Sequence, residues 1–170
     1  MTRSVVVAAL LLAVASAVGA QATNAPDPLL NRLVGRWVLR GPMAGKPTVH
    51  DVTCQWVLGN EYVQVHEVSR EKTATGSPAY EAIVYIGRDS TGEYAALWLD
   101  NTAYGAFAPA GTGHAKAAGD SIPFVFGNTP AERFHNTFIY DQARDTWQWH
   151  LDNDSAGIRK PFARVTLTRP

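Results

Sequence analysis

Residues 48–70, TVHDVTCQWVLGNEYVQVHEVSR, form the stretch that decides the fold of this chain. Polar and apolar residues alternate in both halves of the stretch, and Gly59-Asn60 between the halves favours a two-residue β-turn. Such a turn pairs Trp56 with Val63, and residues opposite each other in an antiparallel hairpin point to the same side. The predicted hairpin therefore has one apolar face, interrupted only by Glu67, and one polar face.

Short β-type segments and turn residues alternate over the rest of the chain. We predict strands over residues 37–40, 48–58, 61–70, 80–87, 93–100, 103–108, 114–117, 121–126, 133–140, 146–152 and 162–168. Consecutive hairpins without a long helical crossover form an antiparallel meander. About ten strands in a meander either close or leave exposed edges, and closure removes the edges. The sequence predicts an all-β, closed, antiparallel up-and-down barrel.

The N-terminal region contains a leader and one short helix. Arg3 precedes an apolar run over residues 5–15, and Val18-Gly19-Ala20 fits a signal-peptidase site. The run is shorter than the roughly 18 residues that a membrane span needs. Asp27-Pro28 fits the N-cap and first turn of a helix that Gly35 ends. We expect a periplasmic or secreted protein with a signal peptide at 1–20, a polar tail and short helix at 21–32, and a β-barrel domain at 33–170.

The composition excludes several classes of protein. The chain has 15 basic and 15 acidic residues, so it lacks the positive charge excess of a nucleic-acid-binding protein. Its single cysteine, Cys54, excludes a disulfide framework and a cysteine-based zinc site, and its place on the apolar face suits an inert core thiol. The five histidines show no His-x-His or His-x-x-x-His spacing, so we predict no metal site.

A second hairpin adds polar residues to the predicted interior. A four-residue turn at residues 89–92 places Glu81 and Tyr85 on the same inward face as Trp98 and Asp100. Carboxylates that face an apolar interior cost several kcal/mol unless they are paired or hydrated. These acidic residues therefore either line a wet cavity or lie at the barrel rim in water.

The hairpin near the C-terminus has a similar organisation. If Tyr140 pairs with Trp147, then Asn136, Phe138 and Trp149 share one inward aromatic surface. Aromatic side chains of this kind either fill a small barrel or surround a ligand cavity. The sequence leaves both alternatives open.

The segment Leu33-Val34-Gly35-Arg36-Trp37 resembles the opening of the calycin superfamily, which includes lipocalins and fatty-acid-binding proteins. In those families Gly-x-Trp follows a short helix and closes one end of the barrel. A late arginine lies across that tryptophan, a cation–π contact worth about 0.5–2 kcal/mol. The resemblance implies structural roles for Gly35 and Trp37, and Arg169 on the last strand is the candidate for the arginine.

A larger set of motifs resembles the bacterial family DUF1579. The matching segments are Trp56–Tyr62, Tyr80–Ala82, Gly87–Asp89, Glu93-Tyr94 and Trp98–Asn101. The similarity runs from about residue 33 to residue 169. It implies a lipocalin-like barrel and brings no established reaction or catalytic residue.

Two positions depart from that family's pattern. Arg88 stands where the family usually has Tyr, and Ala82 stands where Gly is usual, so we expect different packing at that hairpin. The Gly-x-Trp motif and the strand rhythm are also distantly similar to those of nitrobindin-type haem barrels.

The aromatic interior favours a binding protein that holds a small hydrophobic or amphipathic molecule in the barrel. The residues expected to contact this ligand are Trp56, Glu67, Glu81, Tyr85, Trp98, Asp100, Asn136, Phe138 and Trp149.

Two alternatives to a binding protein remain. An enzyme would use a carboxylate pair drawn from the candidates Glu81, Asp100 and Glu67, one group protonated and the other ionised. A haem barrel would need an inward histidine, and only His50 falls on the interior face. We predict no cofactor and assign no catalytic residue.

Overall fold

The computed structural model describes residues 26–102, 111–129 and 132–170. Within these residues there are one α-helix, α1 (Pro28–Leu33), and a single-turn 3₁₀ segment at Leu58–Asn60. The strands within the described residues are β1 (Gly35–Met43), β2 (Lys46–Val57), β3 (Tyr62–Ser69), β4 (Glu81–Arg88), β5 (Tyr94–Asp100), β6 (Thr112–Ala115), β7 (Ser121–Thr129), β8 (Glu132–Asp141), β9 (Thr146–Ser155) and β10 (Ile158–Thr168). The predicted signal peptide and the predicted strand at 103–108 lie outside these residues.

The described strands form a closed antiparallel barrel, as the sequence predicts. Each strand pairs with the next along the chain, and β1 pairs with β10 to complete the closure. The first hairpin has the predicted register, with Trp56 opposite Val63 and Val52 opposite Glu67. Its tight turn needs left-handed backbone, and Gly59 and Asn60 supply it with φ of 70° and 69°.

Helix α1 closes one end of the barrel. The Asp27 side chain accepts hydrogen bonds from the backbone N–H groups of Leu29 and Leu30, so it is the N-cap that the sequence predicts. Leu30 and Leu33 are buried against the barrel interior. We call this the helix end, and the opposite end, where β1 leads into β2, the cavity end.

Arg169 covers the helix end from outside. Its guanidinium lies 3.5 Å from the centroid of the Trp37 ring, which is the contact predicted from the calycin resemblance. The Trp37 indole Nε1–H donates to the Leu33 carbonyl at 2.7 Å. Gly35 has a φ of +127°, a conformation that L side chains rarely adopt, and a Cβ there would also meet the Arg169 guanidinium. A glycine is therefore required where the chain passes beneath this arginine.

Arg88 also stabilises the helix end. Its guanidinium bonds the Asp27 carboxylate and lies 3.7 Å from the centroid of the Tyr94 ring. The Tyr94 hydroxyl donates to the same carboxylate at 3.0 Å. Arg88 thus ties β4 and β5 to the start of α1.

Candidate functional site

A cavity of about 470 Å³ occupies the cavity end of the barrel. Its volume falls within the range of small-molecule sites. Thirteen described residues line it: Met43, Glu67, Tyr80, Trp98, Asp100, Thr102, Gly111, Phe126, Phe134, Trp149, Leu151, Asn153 and Phe162. The barrel is therefore not completely filled by its aromatic side chains.

Aromatic rings form much of the cavity wall and brace one another. Trp98 meets Phe126 edge to face at 6.1 Å between ring centroids, and Phe134 meets Phe162 in the same way at 5.9 Å. Edge-to-face contacts fix the ring orientations. The wall is mostly aromatic and apolar.

Glu67 is held in this wall by a buried histidine. The Glu67 side chain is 2% exposed, and one of its carboxylate oxygens lies 2.5 Å from His50 Nδ1. The His50 ring stacks on Tyr80 at 5.6 Å between centroids. A buried carboxylate needs such a partner, because losing water without a hydrogen bond is costly. His50 itself is not among the lining residues, so it acts on the cavity through Glu67.

Tyr80 joins this group to the aromatic wall. Its hydroxyl accepts a hydrogen bond from the Trp98 indole Nε1–H at 3.1 Å. Burial, followed by the nearby Glu67 and Asp100 carboxylates, raises the pKa of Tyr80 far above its usual range. The phenol therefore remains protonated at physiological pH and presents a neutral polar group to the cavity.

Glu67 and Asp100 lie at the same height on the inner face. Glu67 pairs with Ala82 on β4, and Ala82 pairs with Asp100 on β5. Two strand spacings separate the two acidic residues, about 10 Å between Cα atoms. The small Ala82 side chain leaves room between them. Asp100 Oδ1 also accepts hydrogen bonds from the Thr102 N–H at 2.8 Å and hydroxyl at 2.6 Å, which orient the carboxyl group.

Two buried polar side chains on β8 and β9 lack hydrogen bonds. The Asn136 side-chain amide and the Trp149 indole Nε1–H are buried and have no partner in the described part of the chain. Both residues belong to the inner face, and Trp149 lines the cavity. Such groups cost about 1–3 kcal/mol each. Asn136 does not line the cavity, and none of these buried atoms has accessible surface toward it.

The structure separates the predicted ligand residues into two groups. Glu67, Trp98, Asp100 and Trp149 line the cavity, as a ligand contact requires. The other predicted ligand residues do not line the cavity. Phe138 packs below the cavity, with its ring centroid 4.6 Å from that of Trp149.

Trp56 lies at the helix end, away from the cavity. Its indole Nε1–H donates to Asn31 Oδ1 on α1 at 3.0 Å. The predicted inward face of β2 is correct at this position. Trp56 is far from the cavity because it lies next to the turn between β2 and β3, at the end of the barrel that α1 closes.

The prediction that Glu81 and Tyr85 face the interior is wrong. The loop between β4 and β5 contains one more residue than the predicted turn, so Arg88 pairs with Tyr94 instead of Glu93. A shift of one residue turns a strand's side chains to the other face. Glu81 and Tyr85 therefore lie on the outer face, and the carboxylate pair of Glu81 with Asp100 does not share a site.

Both of these side chains are hydrogen-bonded to residues on the outer face of the barrel. Glu81 bonds His66 Nε2 at 2.7 Å, and the Tyr85 hydroxyl accepts a hydrogen bond from Gln64 Nε2 at 3.1 Å. Among the three carboxylate candidates, Glu67 and Asp100 remain on one cavity wall.

Sequence reasoning missed several lining residues, including Tyr80, Asn153 and Phe162. Tyr80 lies on the inner face in phase with Ala82 and Val84, so the wrong register predicted for the β4–β5 hairpin assigned it to the outer face. Phe162 follows Pro161 at an irregularity in the pairing of β9 and β10. Alternation does not assign faces across a bulge. Phe134 and Phe162 are evident in the sequence as hydrophobic residues. Their contact, with ring centroids 5.9 Å apart, depends on how β8 and β10 each pair with β9.

Cys54 occupies the inert position that the sequence predicts. It is 2% exposed, and burial raises the pKa of its thiol well above the usual range. A thiol in this state is a poor nucleophile.

Comparisons with known proteins support the fold alone. No family model matches the chain, and no curated protein matches it, so membership of DUF1579 stays a prediction. Among solved structures, the crystal structure of Rv2717c from M. tuberculosis is similar with a TM-score of 0.54 and 17% sequence identity. The match covers 86% of this chain and 99% of that chain. Among the described residues, no helix has the length and apolar character to cross a membrane.

Proposed function

We propose that this protein binds one small amphipathic molecule in the cavity of its barrel. The observation that carries the proposal is the 470 Å³ cavity, whose wall is mostly aromatic and apolar and includes the polar side chains of Glu67 and Tyr80. Apolar walls supply affinity, and a few fixed polar groups orient the ligand.

Apolar and polar lining residues have different roles in binding. Phe126, Phe134 and Leu151 offer apolar surface to the body of the ligand. Glu67, bonded to His50, and the Tyr80 hydroxyl offer polar contacts at one wall. Because these groups are already hydrogen-bonded or packed, little ordering cost remains to be met on binding.

Binding of a neutral fluorescent probe tests the proposal. We expect N-phenyl-1-naphthylamine to gain fluorescence with saturation at one molecule per chain. Met43→Trp, which adds bulk at the cavity wall, is expected to weaken this binding by about tenfold or more, since the added ring competes for the same space. Ile158→Trp, on an exposed side chain, is the matched control and should bind as the unaltered chain does.

Native mass spectrometry of the protein from its own host complements the probe. A retained small molecule of constant mass would identify the natural ligand. Absence of saturable probe binding, or equal binding by Met43→Trp, contradicts the proposal.

We also propose that the chain is exported, on the signal-peptide pattern of its first 20 residues. Expression of the full chain in a Gram-negative bacterium tests this. Intact mass measurement of the periplasmic fraction should show a mature chain that begins at Gln21, after Val18-Gly19-Ala20. A full-length chain confined to the cytoplasm would contradict export.

A further inference from the structure

The Tyr80 hydroxyl is a polar group of the cavity wall whose hydrogen-bonding capacity is only partly used. Its oxygen accepts a hydrogen bond from the Trp98 indole Nε1–H at 3.1 Å. Its O–H is bonded to no acceptor in the described part of the chain. A phenol both accepts and donates, and a donor that leaves water without gaining an acceptor is costly. The wall therefore contains one donor that remains to be satisfied.

The packing around Tyr80 leaves this donor at the boundary of the cavity. One face of the ring stacks on His50, which is not a lining residue, with 5.6 Å between the ring centroids. Tyr80 itself lines the cavity and is half-buried, unlike Trp149, which is 1% exposed. Trp98, which holds the hydroxyl, also lines the cavity. A molecule in the cavity can therefore reach the Tyr80 side chain from the side that His50 does not cover.

The acceptors on the same wall already have donors. One Glu67 oxygen lies 2.5 Å from His50 Nδ1, and Asp100 Oδ1 accepts hydrogen bonds from the Thr102 N–H and hydroxyl. Burial, followed by the charges of these two carboxylates, raises the pKa of Tyr80 far above its usual range, so the phenol keeps its proton. A ligand at this wall consequently needs to bring an acceptor rather than a donor.

From this arrangement we infer that the ligand is an apolar molecule with a carbonyl group, such as a ketone or an ester, whose oxygen accepts a hydrogen bond from the Tyr80 O–H. The inference rests on the proposed function and specifies the chemical class of its ligand. A carbonyl oxygen is an acceptor that brings no donor of its own, so it matches this wall. The bond from the Trp98 N–H polarises the Tyr80 hydroxyl and strengthens it as a donor.

Three naphthalene compounds that differ in one small group test the inference. The first, 2-acetylnaphthalene, carries a carbonyl group. In 2-isopropenylnaphthalene a methylene group replaces the carbonyl oxygen, and in 1-(2-naphthyl)ethanol a hydroxyl replaces it. Each compound is titrated by competition with N-phenyl-1-naphthylamine. We expect the ketone to bind at least about threefold tighter than the alcohol, because the proton of the alcohol would meet acceptors that are already bonded.

A matched pair of variants locates the donor. Tyr80→Phe removes the hydroxyl from the cavity wall, and we expect it to lower the ratio of ketone affinity to alkene affinity by about five- to tenfold. Tyr85→Phe removes a hydroxyl that bonds Gln64 on the outer face of β4, and it should leave this ratio within about twofold of its original value. Binding of the alkene by Tyr80→Phe shows whether the cavity of that variant is intact.

Infrared difference spectroscopy gives a measurement that needs no variant. The probe is 2-acetylnaphthalene, isotopically labelled at the carbonyl carbon and bound to the unaltered chain. We expect its carbonyl stretch at a lower frequency than in hexane, because a hydrogen bond to the oxygen weakens the C=O bond. In Tyr80→Phe the frequency should return toward the hexane value. If Tyr80→Phe does not bind the alkene, the frequency in the unaltered chain decides.

The possible outcomes separate this inference from the proposed function. Tighter binding of the alcohol than of the ketone, an unchanged ratio in Tyr80→Phe, or a carbonyl frequency equal to that in hexane overturns the inference while cavity binding stands. An equal fall of the ratio in Tyr80→Phe and Tyr85→Phe also overturns it, because the effect would then not come from the cavity wall. If neither the naphthalene compounds nor the neutral probe binds, the proposed function itself fails.

Discussion

The helix end and the cavity end of this barrel are built from similar residues but use them differently. At the helix end, Trp37 and Trp147 are buried, and their indole N–H groups donate to the α1 carbonyls of Leu33 and Arg32. At the cavity end, the Trp149 indole N–H is buried without a partner in the described part of the chain. The difference teaches that the two ends are packed differently. The helix end is filled and its indole donors are satisfied, whereas the cavity end keeps open volume and a buried donor without a described partner.

The largest predicted effect comes from truncating one tryptophan at each end. Trp37→Ala should lower the free energy of unfolding by about 3–5 kcal/mol, because it removes a fully buried ring from a filled core. Trp98→Ala should cost less than about 2 kcal/mol, since that half-buried ring borders space that is already open. Urea unfolding followed by circular dichroism measures both values. Equal losses would show that the two ends are packed alike.

The Asp27 cap gives the helix end a pH dependence. Burial alone would raise the pKa of Asp27, but hydrogen bonds from the Leu30 backbone, Arg88 and Tyr94 outweigh it, and the pKa is lowered. A lowered folded pKa contributes stability that is complete above the unfolded value of about 4 and is lost as the pH falls below it. Asp27→Asn should cost about 1–2 kcal/mol at pH 7 and much less at pH 3.

Urea unfolding of Asp27→Asn and the unaltered chain at pH 7 and pH 3 checks this expectation. Asp51→Asn, on the outer face in the middle of β2, is the control, because its carboxylate is exposed and bonded only to Arg70 in the described interactions. Its pKa is also lowered by that bond, but an exposed pair contributes little. An Asp27→Asn loss that does not change with pH would contradict the charge-based account.

The smallest predicted effect concerns single indole N–H groups. Trp37→Phe removes a donor that is hydrogen-bonded to Leu33, and it should cost about 1 kcal/mol beyond the change in ring size. Trp149→Phe removes a donor without a described partner, so it should cost less than Trp37→Phe or raise stability by up to about 1 kcal/mol. Thermal unfolding of the two variants side by side gives the comparison. A larger loss from Trp149→Phe would mean that its N–H is satisfied in the folded protein.

Particular residues show how far local sequence information reaches. Gly59-Asn60 predicts the register of β2 and β3 because the turn type sets the pairing, and this placed Glu67 inside correctly. The loop between β4 and β5 contains similar turn residues. However, the Asp89 side chain accepts hydrogen bonds from the backbone N–H groups of both Thr91 and Glu93, and the loop therefore includes Glu93 as a fifth residue. That single residue moved Glu81 and Tyr85 to the outer face.

The candidate site was predictable only in part. Alternation within a strand placed Trp98, Asp100 and Trp149 inside, since side chains on a strand point alternately to two faces. It did not place them at the same end of the barrel, and it did not bring Tyr80 against His50. Those contacts depend on the strand register, the stagger of the strands and the closure of the barrel, which involve residues far apart in the chain.

The alternation of residue types, the turn signals and the Gly-x-Trp motif determined by themselves that this chain forms an all-β barrel with a short helix at one end. These features act over a few residues, so the sequence records them directly. Only the tertiary structure decided which inward side chains surround open volume and that Glu67 and Asp100 share one wall. The physical reason is that a cavity is what remains after all the strands have closed and packed, and no local segment contains that information.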